Sequence, residues 1–565
     1  MKAKFKISLL LFTFIMSISC EDYLEEEPPI FVSASNFWQT ASDARTGVDG
    51  VYEKVNAMYE RWMGTVDAYT DDIVSRTAGN SFTNPIGLHQ VSPSDRLFEQ
   101  VNSVELYTGP WTGITRANTV LQFVPNIDMD ETEKNIILGE ARALRAFYYY
   151  KLVKLWGDAP IITEAITTQE DFNKQRASVD IIYDEIIIPD LLFAEENCRD
   201  GLHTDGHITK WTAKVILAEV YMMRAGWRRT SQGEFVQGDP INWALARDKA
   251  KDIIDNSPHS LNTEELVEGT SVIPAFGRAW DYRSPFTAES MFEISYIKVA
   301  GLGSWYSRES NSARNGVGYW GTQANRPLLE SDSIDLTVAQ MAFTPPGPRL
   351  NLSGAYLVTP DLWDAFEEGD LRRDFSLMTR YEDVISEFAP RTILCRPTFR
   401  KLIDIEYYLG GAETNFQFTT ANLILYRYAD ALLIYAEAQN EADGGPNAEA
   451  YAALNEIRTR AGLLPLDGLS QDDFRKAVWQ ERRVELNAEF KRKFDLMRTN
   501  RLVQETTDIN LNWDVEQGSL TPWVNAFAQY LNNRTPYPDH EWLWPIPQTE
   551  MELNAENDWY QNEGY

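Results

Sequence analysis

Cysteine, histidine and positive charge are all scarce in this chain. Its 565 residues hold 3 Cys and 5 His. Three cysteines make no disulfide framework, and so few Cys and His argue against a multi-ligand zinc site. Lys and Arg number 52 against 84 Asp and Glu, a formal net charge of −32. Sequence-independent nucleic-acid binders displace counterions with basic surface, so this balance argues against that class. It argues equally against direct adsorption to anionic lipid. There is no Walker-type phosphate loop and no Gly-x-Ser-x-Gly nucleophile elbow. No stretch reaches the 18 apolar residues that would read as a membrane span. What is present is globular composition, 44% hydrophobic, 12% aromatic and 24% charged. At this length the prior is three or four domains, or one large repeat array.

The N-terminus is a secretion signal. Lys2, Lys4 and Lys6 precede an apolar run from Ser8 to Ile18, too short to cross a bilayer and the right size for a signal-peptide core. Ser17-Ile18-Ser19-Cys20 then looks like a bacterial lipobox, with Ser17 where many carry Leu. Cleavage before Cys20 would leave a thiol and an amine for acylation, and several acyl chains anchor a protein without a transmembrane helix. An ordinary signal peptide with an incidental Cys is the rival. The next residues, Glu21-Asp22-Tyr23-Leu24-Glu25-Glu26-Glu27-Pro28-Pro29, form an acidic tether stiffened by proline.

Most of the remaining chain has helical periodicity. Ile137, Ala141, Leu144, Tyr148, Leu152 and Leu155 form one stripe over 131–156, stopped by Gly157 and Pro160. A second helix is predicted over 210–226 and a third over 428–440, closed by Gly444-Gly445. Asn447 is placed to cap a fourth, running to Arg460, and Ser470 with Asp473 to open a run continuing through Leu496. Such helix–turn–helix units of roughly 30 to 40 residues have tetratricopeptide size, though not its consensus letters. Each has an apolar face that must stack on its neighbour. Residues 261–420 differ: they are rich in Gly, Pro, Ser and Asn. Strands are predicted there at 291–299 and 391–394. The expected fold is therefore mainly α, with TPR-like helix pairs forming a curved scaffold and a loop-rich region carrying a few short strands. The expected division is a signal peptide (1–19), a lipidated acidic tether (20–30), a first scaffold part (31–260), a loop-rich ligand-binding region (261–420), and a second scaffold part with a C-terminal clasp (421–565).

Five segments in order carry a family resemblance. They are Cys20-Glu21-Asp22-Tyr23-Leu24; Gly139 to Tyr150 with Leu155 to Pro160; Leu454 to Leu463; Glu481 to Leu486 with Asp495 to Arg498; and Trp544-Pro545-Ile546-Pro547 with Glu550 and Asn554. Together they resemble the SusD/RagB family of outer-membrane nutrient-capture lipoproteins. One departure is Phe490, where the family often has Gly. The resemblance implies four TPR-like helix pairs, a lipid anchor at Cys20 and a position on the outer membrane, facing the exterior. It implies a SusC-like TonB-dependent transporter as partner and a glycan, or in some members a peptide, as ligand. No cofactor, metal ligand or catalytic residue is singled out by the sequence, and a bound metal ion stays open. The resemblance also gives the charged cluster Glu481, Arg482, Arg483, Glu485 and Arg498 a structural role, which ion pairing on a helix supports independently.

Aromatic residues are densest between Phe276 and Arg326. Phe276 to Tyr296 read as local core. Trp305, Tyr306, Tyr319 and Trp320 sit among glycines and polar residues, with Arg308 and Asn311 beside them, and function and packing weigh evenly for them. Pyranose faces pack on aromatic rings, and sugar hydroxyls need in-plane polar partners because an unpaired one costs about 1–3 kcal/mol on desolvation. Asp71, Asp72, Arg76 and Asn80 are a second candidate ligand set, on position within the family; a solvated turn is the alternative. His203 and His207 are four apart, but Gly206 argues against a metal-binding helix. Cys198 and Cys395 could pair in an oxidising compartment, but they are 197 apart in sequence and sequence does not give their distance. The leading reading is a non-catalytic surface lipoprotein that captures oligosaccharides. Peptide capture, a lipid-anchored glycoside hydrolase and a protein-binding scaffold are its rivals.

Overall fold

The computed structural model describes residues 37–59, 66, 70–75, 106–166, 171, 174–268, 271–281, 283–295, 321–322, 328–329, 353–354, 356–383, 391–399, 401, 422–508 and 538–565. Twelve helices matter below. They are α1 (Ala41–Tyr59), α2 (Thr108–Phe123), α3 (Glu131–Trp156), α4 (Ile188–Asn197), α5 (Lys210–Ala225), α6 (Ile241–Asn256), α7 (Leu371–Ser376), α8 (Tyr428–Ala442), α9 (Ala448–Arg460), α10 (Gln471–Glu485), α11 (Arg492–Arg498) and α12 (Gln548–Leu553).

The long helices pack in succession: α1 on α2, α2 on α3, α3 on α4, α4 on α5 and α5 on α6. The next step skips the loop-rich stretch, because α6 packs on α8, and α8 carries α9 and α10. Among the described residues this gives four helix pairs, α1–α2, α3–α4, α5–α6 and α8–α9, with residues 261–420 coming between the third and the fourth. The architecture is mainly α, as the periodicity implied.

Helix α3 is the spine. Asp130 caps it by accepting the Glu133 N–H at 3.0 Å, and Gly157, at φ 72°, turns the chain away at its end. Nearly all of its last three turns are buried, so a polar atom there must find a partner. The three consecutive tyrosines do so in three directions. Tyr148 donates to the Val51 carbonyl at 2.5 Å, Tyr149 accepts the Ile162 N–H at 2.8 Å, and Tyr150 donates to Glu219 at 2.9 Å. Gly113 permits the close approach of α2, since a Cβ there would meet the Tyr148 ring at 2.3 Å. The tyrosine run is therefore core, as expected.

Strands are short. β1 (Ile73–Ser75) pairs with β3 (Tyr356–Val358), β2 (Ser290–Ile294) with β6 (Leu423–Arg427), and β4 (Leu377–Asp383) with β5 (Arg391–Phe399), all antiparallel. The strand expected at 291–299 is thus β2 over its first part; 296–299 lie outside the described residues. The strand expected at 391–394 extends to Phe399.

Ser470 caps α10 by accepting the Asp473 N–H, as its sequence indicates. The predicted run through Leu496 is corrected: α10 ends at Glu485 and α11 starts at Arg492. Between them Ala488 and Phe490 stand at φ 58° and 64°, the left-handed region that ends helices. Phe490, at the position where the family often has Gly, adopts a glycine-like backbone while its ring packs 5.3 Å from Tyr59.

The C-terminal segment clasps the spine. Trp544 donates its backbone N–H to the Leu155 carbonyl at 2.6 Å, and its ring stands edge-on to Trp156 at 5.3 Å. Asn562 bridges the carbonyls of Trp156 and Trp544 at 3.0 and 2.6 Å.

Candidate functional site

The charged motif on α10 forms a buried lattice. Arg427, fully buried at the end of β6, donates to Glu289 at 2.7 Å, Glu485 at 2.6 Å and both oxygens of Glu489 at 2.8 and 2.9 Å. Arg372 on α7 donates to Glu481 at 2.5 Å, Glu485 at 2.8 Å and both oxygens of Asp370. Arg460 adds bonds to Glu289 and Glu485, and Lys401 to Glu489 at 2.7 Å. Burial would raise the Glu485 carboxyl, but Arg460, Arg427 and Arg372 hold it well below the usual carboxylate range. Arg482 and Arg498 both grip Asp495, and Arg498 also chelates Glu437 at 2.5 and 2.8 Å. Burial opposed by these arginines leaves Asp495 at about 2. The lattice ties α7, β6, α9, α10 and the 289 and 401 segments together. This is the structural role expected of Glu481, Arg482, Arg483, Glu485 and Arg498.

Asp71 and Asp72 belong to the same system, which corrects the solvated-turn reading. Both are buried. Arg492 donates to both oxygens of Asp71, at 2.8 and 2.6 Å, and Arg483 reaches Asp72 at 2.8 Å and Asp71 at 3.1 Å. Burial would raise Asp71, but Arg483 and Arg492 hold it well below the ordinary value. A pair of adjacent acidic residues beside β1 is thus neutralised by two arginines from α10 and α11. These bonds account for both carboxylates without a ligand. Sequence could not show it, because the partners lie more than 400 positions away.

Phe276 is buried and Trp280 packs beside it, with Lys401 and Arg427 over their faces at 4.7 to 5.8 Å. Phe292 is buried against Phe147. These aromatics are core and roof the ion lattice. Trp305, Tyr306, Arg308, Asn311, Tyr319 and Trp320 lie outside the described residues, as do Arg76, Asn80 and Cys20.

The two histidines are held by the protein itself. His203 is buried; its Nε2 accepts the Glu293 N–H at 3.0 Å, so Nδ1 carries the proton and donates to the His207 carbonyl at 3.0 Å. Burial lowers His203 to about 4. His207 places Nδ1 2.9 Å from Glu140, which also binds Arg45 and Tyr52 at 2.9 Å each. The Glu140 hydrogen bond, net of burial, raises His207. Cys198 is free and buried, and burial pushes its thiol up; the side chain of Cys395 lies outside the described residues.

A surface cleft of about 540 Å³ lies where α2, the segment from Pro160 to Ile162 and the C-terminal segment meet. That volume falls in the ~300–1,000 Å³ range of small-molecule sites. Its walls include Tyr107, Trp111, Thr112, Thr115, Glu550 and Trp559. Tyr107 is buried, with its ring 6.2 Å from Trp111. Trp559 donates to the Lys174 carbonyl at 2.8 Å, which fixes its ring. Leu553 is 65% exposed at the edge. A second recess of about 450 Å³, lined in part by Asn118, Gln122 and Thr163, lies one to two turns further along α2. Sequence reasoning missed this cleft. Its two tryptophans are 448 positions apart, and the only signal was Glu550 and Asn554 following the Trp-Pro-Ile-Pro motif.

Comparison with known proteins gives a consistent result. Residues 395–565 match the family model described as "SusD family", and residues 22–222 match "Starch-binding associating with outer membrane". "SusD-like protein P25" of Formosa agariphila is 26% identical over 540 residues, covering 92% of this chain and 94% of that protein. A SusD superfamily protein from Parabacteroides distasonis superposes with a TM-score of 0.67 at 23% identity, over 95% of this chain and all of that one. A "Laminarin binding SusD-like protein" gives 0.63 at 22% identity, over 93% of this chain and all of that one.

Proposed function

This chain belongs to the SusD/RagB family, and on that premise we propose that it is a non-catalytic, surface-exposed lipoprotein of the outer membrane that captures oligosaccharides. In this reading acylated Cys20 anchors it, 20–30 tether it, and it passes its ligand to a SusC-like TonB-dependent transporter. The frame is 31–260 and 421–565, and 261–420 carries the ligand loops. Trp305, Tyr306, Tyr319 and Trp320 supply ring-stacking surface, with Arg308 and Asn311 as hydrogen-bond partners.

The observation that carries the reading is the placement of the two family matches. They fall on either side of the aromatic-rich segment, and the one over 22–222 is to the family described as starch-binding and outer-membrane associated. The laminarin-binding neighbour supports carbohydrate as the ligand class. The charge lattice supports binding over hydrolysis, because the clustered carboxylates of Glu481, Glu485 and Glu489 are matched by arginines and a lysine instead of being left as an acid and a nucleophile.

The test is affinity electrophoresis of residues 21–565 against neutral and acidic polysaccharides, beside the Trp305→Ala/Trp320→Ala variant and a reducing-end assay. Retardation by a glycan, weakened in the variant and without new reducing ends, is the expected result. Reducing-end release would make the protein a hydrolase. Failure to bind any glycan, with retention on a peptide library, would make it a peptide-capturing member of the family.

A further inference from the structure

The cleft beside α2 has walls of unusual chemistry. Thr112 and Thr115 both line it, and each hydroxyl donates back to a helix carbonyl, of Thr108 and Trp111, at 3.0 Å. Their protons are committed, so what they offer a ligand is oxygen lone pairs. Asn554 spends one N–H on the Glu550 carbonyl, and its side-chain oxygen accepts from Asn557. The cation at the edge, Arg116, is paired with Glu53 at 2.7 Å and the Gly50 carbonyl at 2.6 Å. Glu550 is different. It is part-buried, and among the described residues no donor or cation engages its carboxylate. The cleft therefore presents aromatic surface with acceptors and an unmatched negative charge.

A ligand for such a wall must bring its own O–H donors and an apolar face, and must not bring an anion. A neutral sugar ring meets all three conditions. We propose that this cleft is a second saccharide site, which holds a neutral hexose or pentose ring against Trp111 and Trp559 with its hydroxyls donated to Glu550, and which excludes carboxylated and sulfated sugars. It rests on the glycan-capture reading but not on the 301–326 loop. The recess further along α2 gives the occupant room to be an oligomer.

The test uses the full mature chain carrying Trp305→Ala/Trp320→Ala, so that loop binding is removed. Malto-, cello-, laminari-, manno- and xylohexaose, and hexagalacturonate as the anionic probe, are titrated in by calorimetry at pH 7. The expected result is saturable binding of at least one neutral hexaose and none of hexagalacturonate. Adding Trp559→Ala should weaken that binding by tenfold or more. Glu550→Gln keeps the shape but removes the charged acceptor; it should weaken the neutral hexaose by roughly tenfold, the worth of a hydrogen bond to a charged group, and admit hexagalacturonate. Because Trp559 also holds Lys174, its variant is checked by thermal unfolding, and the isosteric Glu550→Gln decides if that variant is unstable. If the natural sequence binds a neutral hexaose and the loop variant binds none, the cleft is not a site and the capture reading stands. If the loop variant binds but neither Trp559→Ala nor Glu550→Gln changes it, the cleft proposal is overturned. If hexagalacturonate binds the unaltered cleft, its selectivity is overturned. If the natural sequence binds no saccharide in the panel, the cleft proposal and glycan capture fall together.

Discussion

Glu485 and Glu550 both sit on helices near the C-terminus, and their surroundings are opposite. Glu485 is fully buried among Arg372, Arg427 and Arg460, which hold it ionised. Glu550 is part-buried beside two tryptophans and has no charged partner among the described residues, and burial alone moves it. The same residue type is a fastener in one place and an open acceptor in the other. What separates them is partner count, and partner count is a property of the fold. A motif dense in charge is thus a poor guide to chemistry in this chain.

Breaking the lattice should have the largest effect. Arg427→Met takes from Glu289, Glu485 and Glu489 the one cation that all three share, and leaves them Arg460, Arg372 and Lys401. Removing one partner of a buried ion pair costs about 3–5 kcal/mol, so urea unfolding should show at least that loss, or no folded protein. A loss below ~1 kcal/mol would mean that the lattice is only incidental to the frame. Next is Asp495, whose carboxyl lies at about 2 in the fold against an ordinary ~3.9. A depressed acid stabilises above its unfolded value, and that stabilisation is lost as pH falls toward the folded one. The stability gap between the natural sequence and Asp495→Asn should therefore be largest above pH 5, on the order of 2 kcal/mol. It should narrow between pH 4 and pH 2. A gap that does not change with pH would assign the loss to packing.

His207 lies between the two extremes, partly exposed and bound to Glu140. Its raised value means that its contribution is complete below the ordinary ~6.5 and is lost as pH rises through the folded value. His207→Gln should be more destabilising at pH 5.5 than at pH 8.5, by no more than ~1 kcal/mol, as suits a partly exposed pair. Asp49, 3.8 Å from the other ring nitrogen, acts in the same direction. An equal loss at both pH values would show that the ring is held by packing alone, and the reverse order would show that the fold favours the neutral ring.

The helical frame was legible in the sequence where periodicity and caps agreed. Helix α3 spans the residues its stripe and Gly157 implied, and α9 starts after the Asn447 cap, whose side chain accepts the Ala450 N–H at 2.8 Å. The break after Glu485 was not legible, since Ala488 and Phe490 carry no left-handed signal as residue types. Helices α1, α2 and α6 were missed as well; α2 begins with Gly and Pro in its first turn, a pattern that reads as loop. The burial of Asp71 and Asp72 was hidden because their arginines come from the far end of the chain. The cleft was hidden for the same reason: its two walls meet only when the C-terminal segment folds back on α2.

In the proposed reading, ion pairs hold this frame and aromatic surfaces hold its ligand. One paired measurement addresses it directly: unfolding free energy and glycan affinity of Glu485→Gln and Trp320→Ala, side by side. The account predicts a crossed result. Glu485→Gln should lose about 3 kcal/mol of stability and, where still folded, bind as the natural sequence does. Trp320→Ala should unfold as the natural sequence does and lose affinity. Folded Glu485→Gln without binding, or Trp320→Ala with affinity intact, would contradict it.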